Sequence, residues 1–418
     1  MGEGVHARRR TSDCILFSTA DWDEPYWTNK QHTAHILAQN GWRVLYVESP
    51  GLRSPKVSSG KDWARIWRRL WSGLRSNFVA PPQREKNVWV LSPLMIPARH
   101  HMPMFRMFNQ ALLKWSIARF TRKHRFADPL VWTYHPFMLG AIEDLPHGAF
   151  VYHCVDDLAA IPGVDVEAFD VAQQQLLAQS KAVFTTAVAL RDHCLRYNAN
   201  THYFANVVDA RHFGRAFEGS ELPPDVASIP APRLIYHGVL SDFKVDFPLI
   251  HEAAKRRPDW QWIFIGEERE GQRSEMVARL RALPNVHFLG YRSYQQLPSY
   301  LRGMNVGLLP TLLNNYTRSM FPMKFFEYLA AGLPVVATPL DFTKERLAGL
   351  EVGGSPEAFI AAIERQLQRG RLDPVEARQY VGDNTWDART AKMLDLVWAE
   401  PVESSTDPLA GDIKWSVE

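Results

Sequence analysis

Short apolar runs, each closed by glycine, proline or asparagine, recur along this chain of 418 residues. Runs of four to six apolar residues between turn signals read as buried strands. Stretches between them with apolar residues every three or four positions read as helices. The pattern predicts strands at Cys14–Ser18, Arg43–Glu48, Val88–Leu91, Leu130–Tyr134, Phe150–Cys154 and Ala182–Thr185. Helices fill the gaps, the first over Asn29–Gln39 and stopped by Asn40-Gly41. A proline-rich stretch, 217–232, interrupts the alternation, which restarts with strands at Leu234–Tyr236, Trp262–Ile265, Val286–Leu289 and Val306–Leu309. Helices are expected there at Phe247–Lys255, Arg273–Ala282 and Leu297–Leu301. Such alternation gives parallel sheets covered by helices. The expected fold class is α/β, with two doubly wound, Rossmann-like domains (1–216 and 233–400), a linker at 217–232, a tail at 401–418 and a cleft between the domains.

One stretch carries more than periodicity. Phe321-Pro-Met-Lys-Phe-Phe-Glu-Tyr-Leu-Ala-Ala-Gly-Leu-Pro-Val-Val-Ala-Thr338 reads as a short helix followed at once by a buried strand. Gly332 accepts the left-handed turn that closes a helix, and Pro334 forbids its continuation. Lys324 and Glu327 therefore stand one helical turn apart on a helix packed against a parallel sheet. In α/β folds, ligands bind at that end of the sheet.

Composition narrows the class. Hydrophobic residues make up 46% and charged residues 22%, as in a folded domain rather than a disordered chain. Three scattered cysteines (Cys14, Cys154, Cys194) give neither a disulfide framework nor a zinc site, which points to a reducing compartment. No apolar run reaches the roughly 18 residues that span a bilayer, and Arg8-Arg9-Arg10 has no apolar segment behind it to make a secretory signal. A cytoplasmic location is the expectation.

The net charge of +3 is unevenly spread. No acidic residue falls between Glu85 and Asp128, whereas Lys86, Arg99, Arg106, Lys114, Arg119, Arg122, Lys123 and Arg125 do. Within Lys61–Arg75, Trp63, Trp67 and Trp71 follow helical spacing with basic residues around the rest of the wheel. A basic, tryptophan-bearing amphipathic helix suits an anionic membrane surface. The competing reading is a core-facing helix with a solvated basic face. No nucleic-acid motif accompanies the charge, so nucleic acid is not an expected partner.

Taken in order, several blocks resemble the GT-B glycosyltransferases, in particular the large retaining nucleotide-sugar family that includes bacterial exopolysaccharide and teichuronic-acid enzymes. Asp21-Trp22 with Trp27, Gln31-His32 and Gly41 to Glu48 resembles the first βαβ unit. Val151 to Asp157 resembles a strand ending in an acidic pair, and Asn206-Val-Val-Asp209 resembles the turn that closes the first domain. Tyr236-His-Gly238, Asn285 to Gly290 and Pro322 to Val335 complete the set.

The resemblance implies transfer of a sugar from a nucleotide-sugar donor, UDP-linked, to a glycan or lipid-linked acceptor, with retention. The donor enters as a substrate and no cofactor is implied. On the donor side it implies Lys244, Gly266, Tyr291, Arg292, Arg318, Ser319, Lys324 and Glu327. Glu327 would accept ribose hydroxyls, and Lys324 and Arg318 would neutralise diphosphate, aided by the amides at the start of the helix. Ser319 stands where relatives often place a second glutamate, eight positions before Glu327; Asn314 and Asn315 are possible substitutes. The loop after the first donor strand reads Lys244-Val-Asp246 in place of a Lys-Gly pair. On the catalytic side, Asp21, His135, Asp156 and Asp157 follow first-domain strands, and a carboxylate there can serve as a base. His153 is a further candidate for contact with the sugar. Asp21-Trp-Asp23 matches the Asp-x-Asp pattern of metal-dependent transferases but lies too near the start of the chain for that role, so no metal is expected. The alternatives are a sugar-nucleotide epimerase on the same fold, or a non-catalytic scaffold, which the loss of the carboxylate at Ser319 favours.

Overall fold

The computed structural model describes residues 12–49, 80–93, 103–160, 164–268, 274–318 and 320–399. Ser319 and the tryptophan-rich segment at 61–75 lie outside the described residues.

Two sheets organise the chain. The first runs β3-β4-β2-β1-β5-β6-β7-β8. Its strands are β1 (Asp13–Phe17), β2 (Arg43–Val47), β3 (Gln83–Glu85), β4 (Val88–Leu91), β5 (Leu130–Thr133), β6 (Ala149–Cys154), β7 (Ala182–Thr185) and β8 (Thr201–Tyr203). All pairings are parallel except β3 with β4. The second sheet runs β11-β10-β9-β12-β13-β14 and is parallel throughout. It comprises β9 (Arg233–His237), β10 (Gln261–Ile265), β11 (Val286–Gly290), β12 (Val306–Leu309), β13 (Val335–Ala337) and β14 (Leu350–Val352). Each sheet has a point where strand order reverses, between β1 and β5 and between β9 and β12. Loops leaving the carboxyl ends of these strands flank a crevice, the general ligand site of doubly wound sheets.

Strands anticipated from apolar runs appear within a residue or two, because residues buried on both faces leave few polar interruptions. Four helices matter below: α1 (Asn29–Gln39), α2 (Pro103–His124), which packs on the first lobe's core through Leu113, Ile117 and Phe120, α3 (Lys324–Ala330) and α4 (Trp386–Trp398). α3 ends as its sequence dictates. Gly332 has φ of +79°, its N–H donates to Leu329 O, and the Leu333 N–H donates to Tyr328 O. That pair of bonds is a Schellman closure.

The lobe boundaries differ from the expected 217–232 linker. Val208, Phe213, Ala216, Val226 and Ile229 already belong to the second lobe's core, so the chain crosses over near Asn206. At the far end α4 leaves the second lobe and sets Met393 and Val397 into the first lobe's core beside Cys14, Trp132 and Phe184. Apolar spacing marks α4 as a helix but carries no information about which core it enters.

Glycines at the strand ends admit close approach. Gly266 has φ of +138°, and a Cβ on it would stand 1.9 Å from Gly238 O. Gly266→Ala combines backbone strain with a clash against main chain, so urea unfolding should show a loss of roughly 2 kcal/mol or more. An alanine variant of wild-type stability would contradict this packing.

Candidate functional site

The second lobe supplies a lysine arm and a carboxylate from one helical turn. Lys324 opens α3, and its side chain lies over the Gly238 backbone. A Cβ at Gly238 would meet Lys324 Cε at 2.6 Å and Nζ at 2.9 Å. Nζ also sits 5.6 Å from the Tyr236 ring centre. Burial lowers the Lys324 pKa, Glu327 opposes the shift and the ammonium of Lys244 adds to it. Glu327, one turn on, is 8% exposed. Burial raises its pKa to about 7, against a smaller opposing pull from Lys324. His237 Nε2 lies 3.3 Å from Glu327 Oε2 but forms no hydrogen bond there. Burial, then Lys324, hold this imidazole well below its usual pKa, so the contact is between a carboxyl and a neutral ring rather than a salt bridge.

A polar chain then crosses to the first lobe. Lys244 Nζ donates to Tyr316 Oη at 3.5 Å and lies 4.9 Å from that ring's centre. Tyr316 Oη donates to Asp156 Oδ1 at 3.2 Å, and Lys30 Nζ stands 3.6 Å from Asp156 Oδ2. The charge of Asp156, then burial, raise the Tyr316 pKa and keep the phenol protonated. Lys30 lies on the first turn of α1. Burial lowers its pKa, Asp156 opposes that shift and Lys244 adds to it. Lys30, Lys244 and Lys324 thus share one electrostatic neighbourhood, with Asp156 and Glu327 as its carboxylates.

The other candidates divide. His135, after β5, is 2% exposed with neither ring nitrogen hydrogen-bonded, and burial lowers its pKa to about 4. A neutral imidazole with an unused donor and acceptor suits a sugar hydroxyl. His153 is fully buried, and its Nδ1 meets Tyr134 Oη at 3.1 Å. Its Nε2, like the ring nitrogens of His135, has no hydrogen-bond partner. Arg292, expected near the base, is committed elsewhere: it donates to Asp225 Oδ2 at 2.7 Å and to Tyr300 Oη at 2.5 Å. Asn314, a proposed substitute for the missing glutamate, caps its own turn through Thr317 N–H at 2.9 Å and donates to Phe243 O at 2.7 Å. Arg318 and Asn315 are exposed on a four-residue helix, Asn315–Arg318. Tyr291 faces the first lobe, 5.5 Å from the Tyr26 ring and within 3.4 Å of Pro25 O. Gly266 lines the end of β10. Asp21 lies half-buried in the β1–α1 loop, where its carbonyl accepts from Gln31 at 2.9 Å. Asp157 is half-buried beside Asp156. Asp23 pairs with Arg84 at 2.7 Å. Among the described residues, no group of three or more His, Cys, Asp or Glu side chains is arranged to hold a metal. α3 has only seven residues, so the positive charge of the crevice comes from its lysines more than from a helix dipole.

Residues 232–369 match the family described as Glycosyl transferases group 1. Over 157 residues the chain is 33% identical to a putative teichuronic acid biosynthesis glycosyltransferase, TuaH, of Bacillus subtilis (strain 168), covering 36% of this chain. The match spans 39% of the length of that relative. Nearly the whole chain superposes on solved structures. Sucrose-phosphate synthase from Thermosynechococcus elongatus gives a TM-score of 0.62 at 17% identity, covering 92% of this chain and 98% of that one. Anabaena HepE in complex with UDP-glucose gives 0.62 at 14%, covering 92% and 99%. The chain has the GT-B fold. The family match falls within the second lobe, and the crevice just described lies where the two lobes of this GT-B chain meet.

Lys30 and Tyr316 carry no motif in the sequence, and His237 stands out only within Tyr236-His-Gly238. Lys30 sits among Asn29, Gln31, His32 and Thr33, all buried on the first turns of α1. A run of buried polar residues at a helix start was the available signal.

The raised pKa of Glu327 fixes a sign. Stability linked to this group is full below its unfolded value of about 4.5 and is lost as pH rises through about 7. Between pH 6 and 8 the ligand-free protein should lose about 1 kcal/mol more than Glu327→Gln does. Parallel pH profiles of unfolding free energy for the two proteins would refute the assignment.

Proposed function

We propose that this protein transfers a sugar from a nucleotide-sugar donor, UDP-linked, to a glycan or lipid-linked acceptor in bacterial surface-polysaccharide synthesis. The observation that carries the reading is the half-buried Lys324 and the buried Glu327, one helical turn apart in the interlobe crevice at the switch point of the second sheet. Glu327 as a carboxylate accepts hydrogen bonds from the ribose hydroxyls, and the desolvated site strengthens them. Lys324 and Lys244 neutralise the diphosphate as it departs. His135 meets a donor-sugar hydroxyl from the first lobe. Asp156, gripped by Lys30 and Tyr316, orients the acceptor hydroxyl.

In the retaining course proposed here, the C1–O bond to the diphosphate breaks as the acceptor oxygen bonds to C1 on the same face. The bonding pair leaves with the diphosphate, and the acceptor proton passes to its oxygen. Stabilising that leaving charge is the main catalytic contribution, and neither a protein nucleophile nor a metal is required. Lys324→Ala should weaken UDP binding at least about tenfold by calorimetry and abolish transfer from membranes supplied with nucleotide sugars. Glu327→Gln should flatten the rise of UDP affinity expected between pH 6 and 8. Wild-type affinity in both variants would end this reading, and a free epimerised nucleotide sugar as product would replace it with the epimerase.

The acceptor side is proposed to meet the inner face of the plasma membrane. No described helix is long and apolar enough to cross a bilayer. α2 instead presents Met107, Phe108 and Trp115 to solvent, at 68%, 54% and 46% exposure, in the same stripe as Arg119 and Arg122. Such a stripe rests its apolar side chains at the headgroup boundary and its cations on anionic lipid. Binding to phosphatidylglycerol vesicles should exceed binding to phosphatidylcholine vesicles, weaken with salt, and fall on Phe108→Ser or on replacing Trp63, Trp67 and Trp71. Equal binding to the two vesicle types would count against it.

A further inference from the structure

One side chain joins the two lobes at the start of α3. Asn206 Nδ2 donates to Phe321 O at 2.5 Å, three residues ahead of Lys324. Its Oδ1 accepts from Asn29 Nδ2 at 2.9 Å. Asn29 Oδ1 in turn accepts from Arg389 Nη2 at 2.8 Å, while Arg389 Nη1 donates to Ala205 O at 3.2 Å. The four side chains and segments come from α4, α1, the crossover turn and the loop before α3.

The direction of this chain is forced. A guanidinium only donates, so Asn29 must turn its oxygen to Arg389 and its amide to Asn206. Asn206 must then offer its oxygen to Asn29 and its amide to Phe321, whose carbonyl only accepts. Neither amide can flip without setting two acceptors face to face. The surroundings are dry: Asn29, Asn206 and Arg389 are 4%, 8% and 3% exposed. Met323, next along from this point, packs against the cluster of Ile36, Val207 and Trp386, all from elements seated on the first lobe or the crossover. In such surroundings a reversed link leaves a buried acceptor without a donor, a penalty larger than the gain from an ordinary hydrogen bond.

We infer that Asn206 is a positioning residue that fixes where the Lys324–Glu327 turn stands relative to the first lobe, through a one-way hydrogen-bond relay anchored on Arg389. Its role rests on the reading of the crevice as a nucleotide site only for its consequence in transfer; the mechanical linkage stands without it. Lys324 and Glu327 belong to the second lobe and Lys30, His135 and Asp156 to the first, so the relay sets the separation between the two halves of the site.

Two near-isosteric variants test this in the full-length protein. Asn206→Asp sets a carboxylate oxygen against Phe321 O. Asn29→Asp touches no atom of the second lobe, yet it removes the donor that orients Asn206. In ligand-free protein, both should exchange amide hydrogens over residues 321–331 about fivefold faster than wild type, while the strands at 13–17 and 233–237 keep wild-type rates. With UDP as the probe, wild type should gain protection at both 321–331 and 29–39. The variants should keep the first and lose the second. Wild-type exchange over 321–331 in Asn29→Asp would overturn the inference, even if Asn206→Asp failed to fold. UDP that does not bind wild type would sink the nucleotide reading instead, and the ligand-free exchange would still decide the role of Asn206.

Discussion

Three ammonium groups gathered in one crevice, Lys30 buried and Lys244 and Lys324 half-buried, with two carboxylates between them, set the terms for the rest of this structure. Burial works against the charge on Lys30 and Lys324 and against that on Glu327. Such an arrangement is costly to hold in a folded chain unless something repays the desolvation. On the proposed function, the diphosphate of the donor does so by completing the charge balance that the protein leaves open. The fold concentrates this cost at the reversal points of two sheets, where strand ends leave room between diverging loops and where Gly238 and Gly266 let backbone and lysine arm lie in contact.

The two lobes contribute different chemistry to that crevice. The second presents cation and carboxylate on rigid, fully packed elements: Phe325, Tyr328 and Leu329 of α3 are inaccessible to solvent. The first presents a neutral histidine and an aspartate whose partners come from both sides, Lys30 from its own lobe and Tyr316 from the other. On the proposed function, the groups that would grip the donor are preorganised within one lobe, whereas those around Asp156 come together only when the lobes are in register.

How much of this was legible in the sequence follows from what each residue answers to. Apolar runs answer to burial alone, so β1, β2, β5, β6, β7, β9, β10, β12 and β13 could be read directly. The turn carrying Lys324 and Glu327 could be read because Gly332 and Pro334 leave the chain little other choice. Arg292 and Asn314 were misread for the opposite reason. A polar residue after a strand suits a ligand or a neighbouring turn equally well, and Asp225, Tyr300 and Thr317, which decide the matter, are remote or unremarkable in the sequence. The buried polar start of α1 eluded periodicity because no apolar stripe marks it. Its partner Arg389 lies 360 residues further on. Ser319 and the tryptophan-rich segment lie outside the described residues, and the structure adds nothing to what their sequence implies.

The return of α4 to the first lobe has a consequence for how the molecule is made. Met393 and Val397 close a core whose first strand begins at Asp13, so that core stays open along one side until almost four hundred residues have been synthesised. During translation the second lobe, whose core is nearly complete by Val381, can consolidate ahead of the one that precedes it in the chain. The core of the amino-terminal half is thus completed last, and until α4 arrives the cluster holding Trp132 and Phe184 lacks Met393 and Val397.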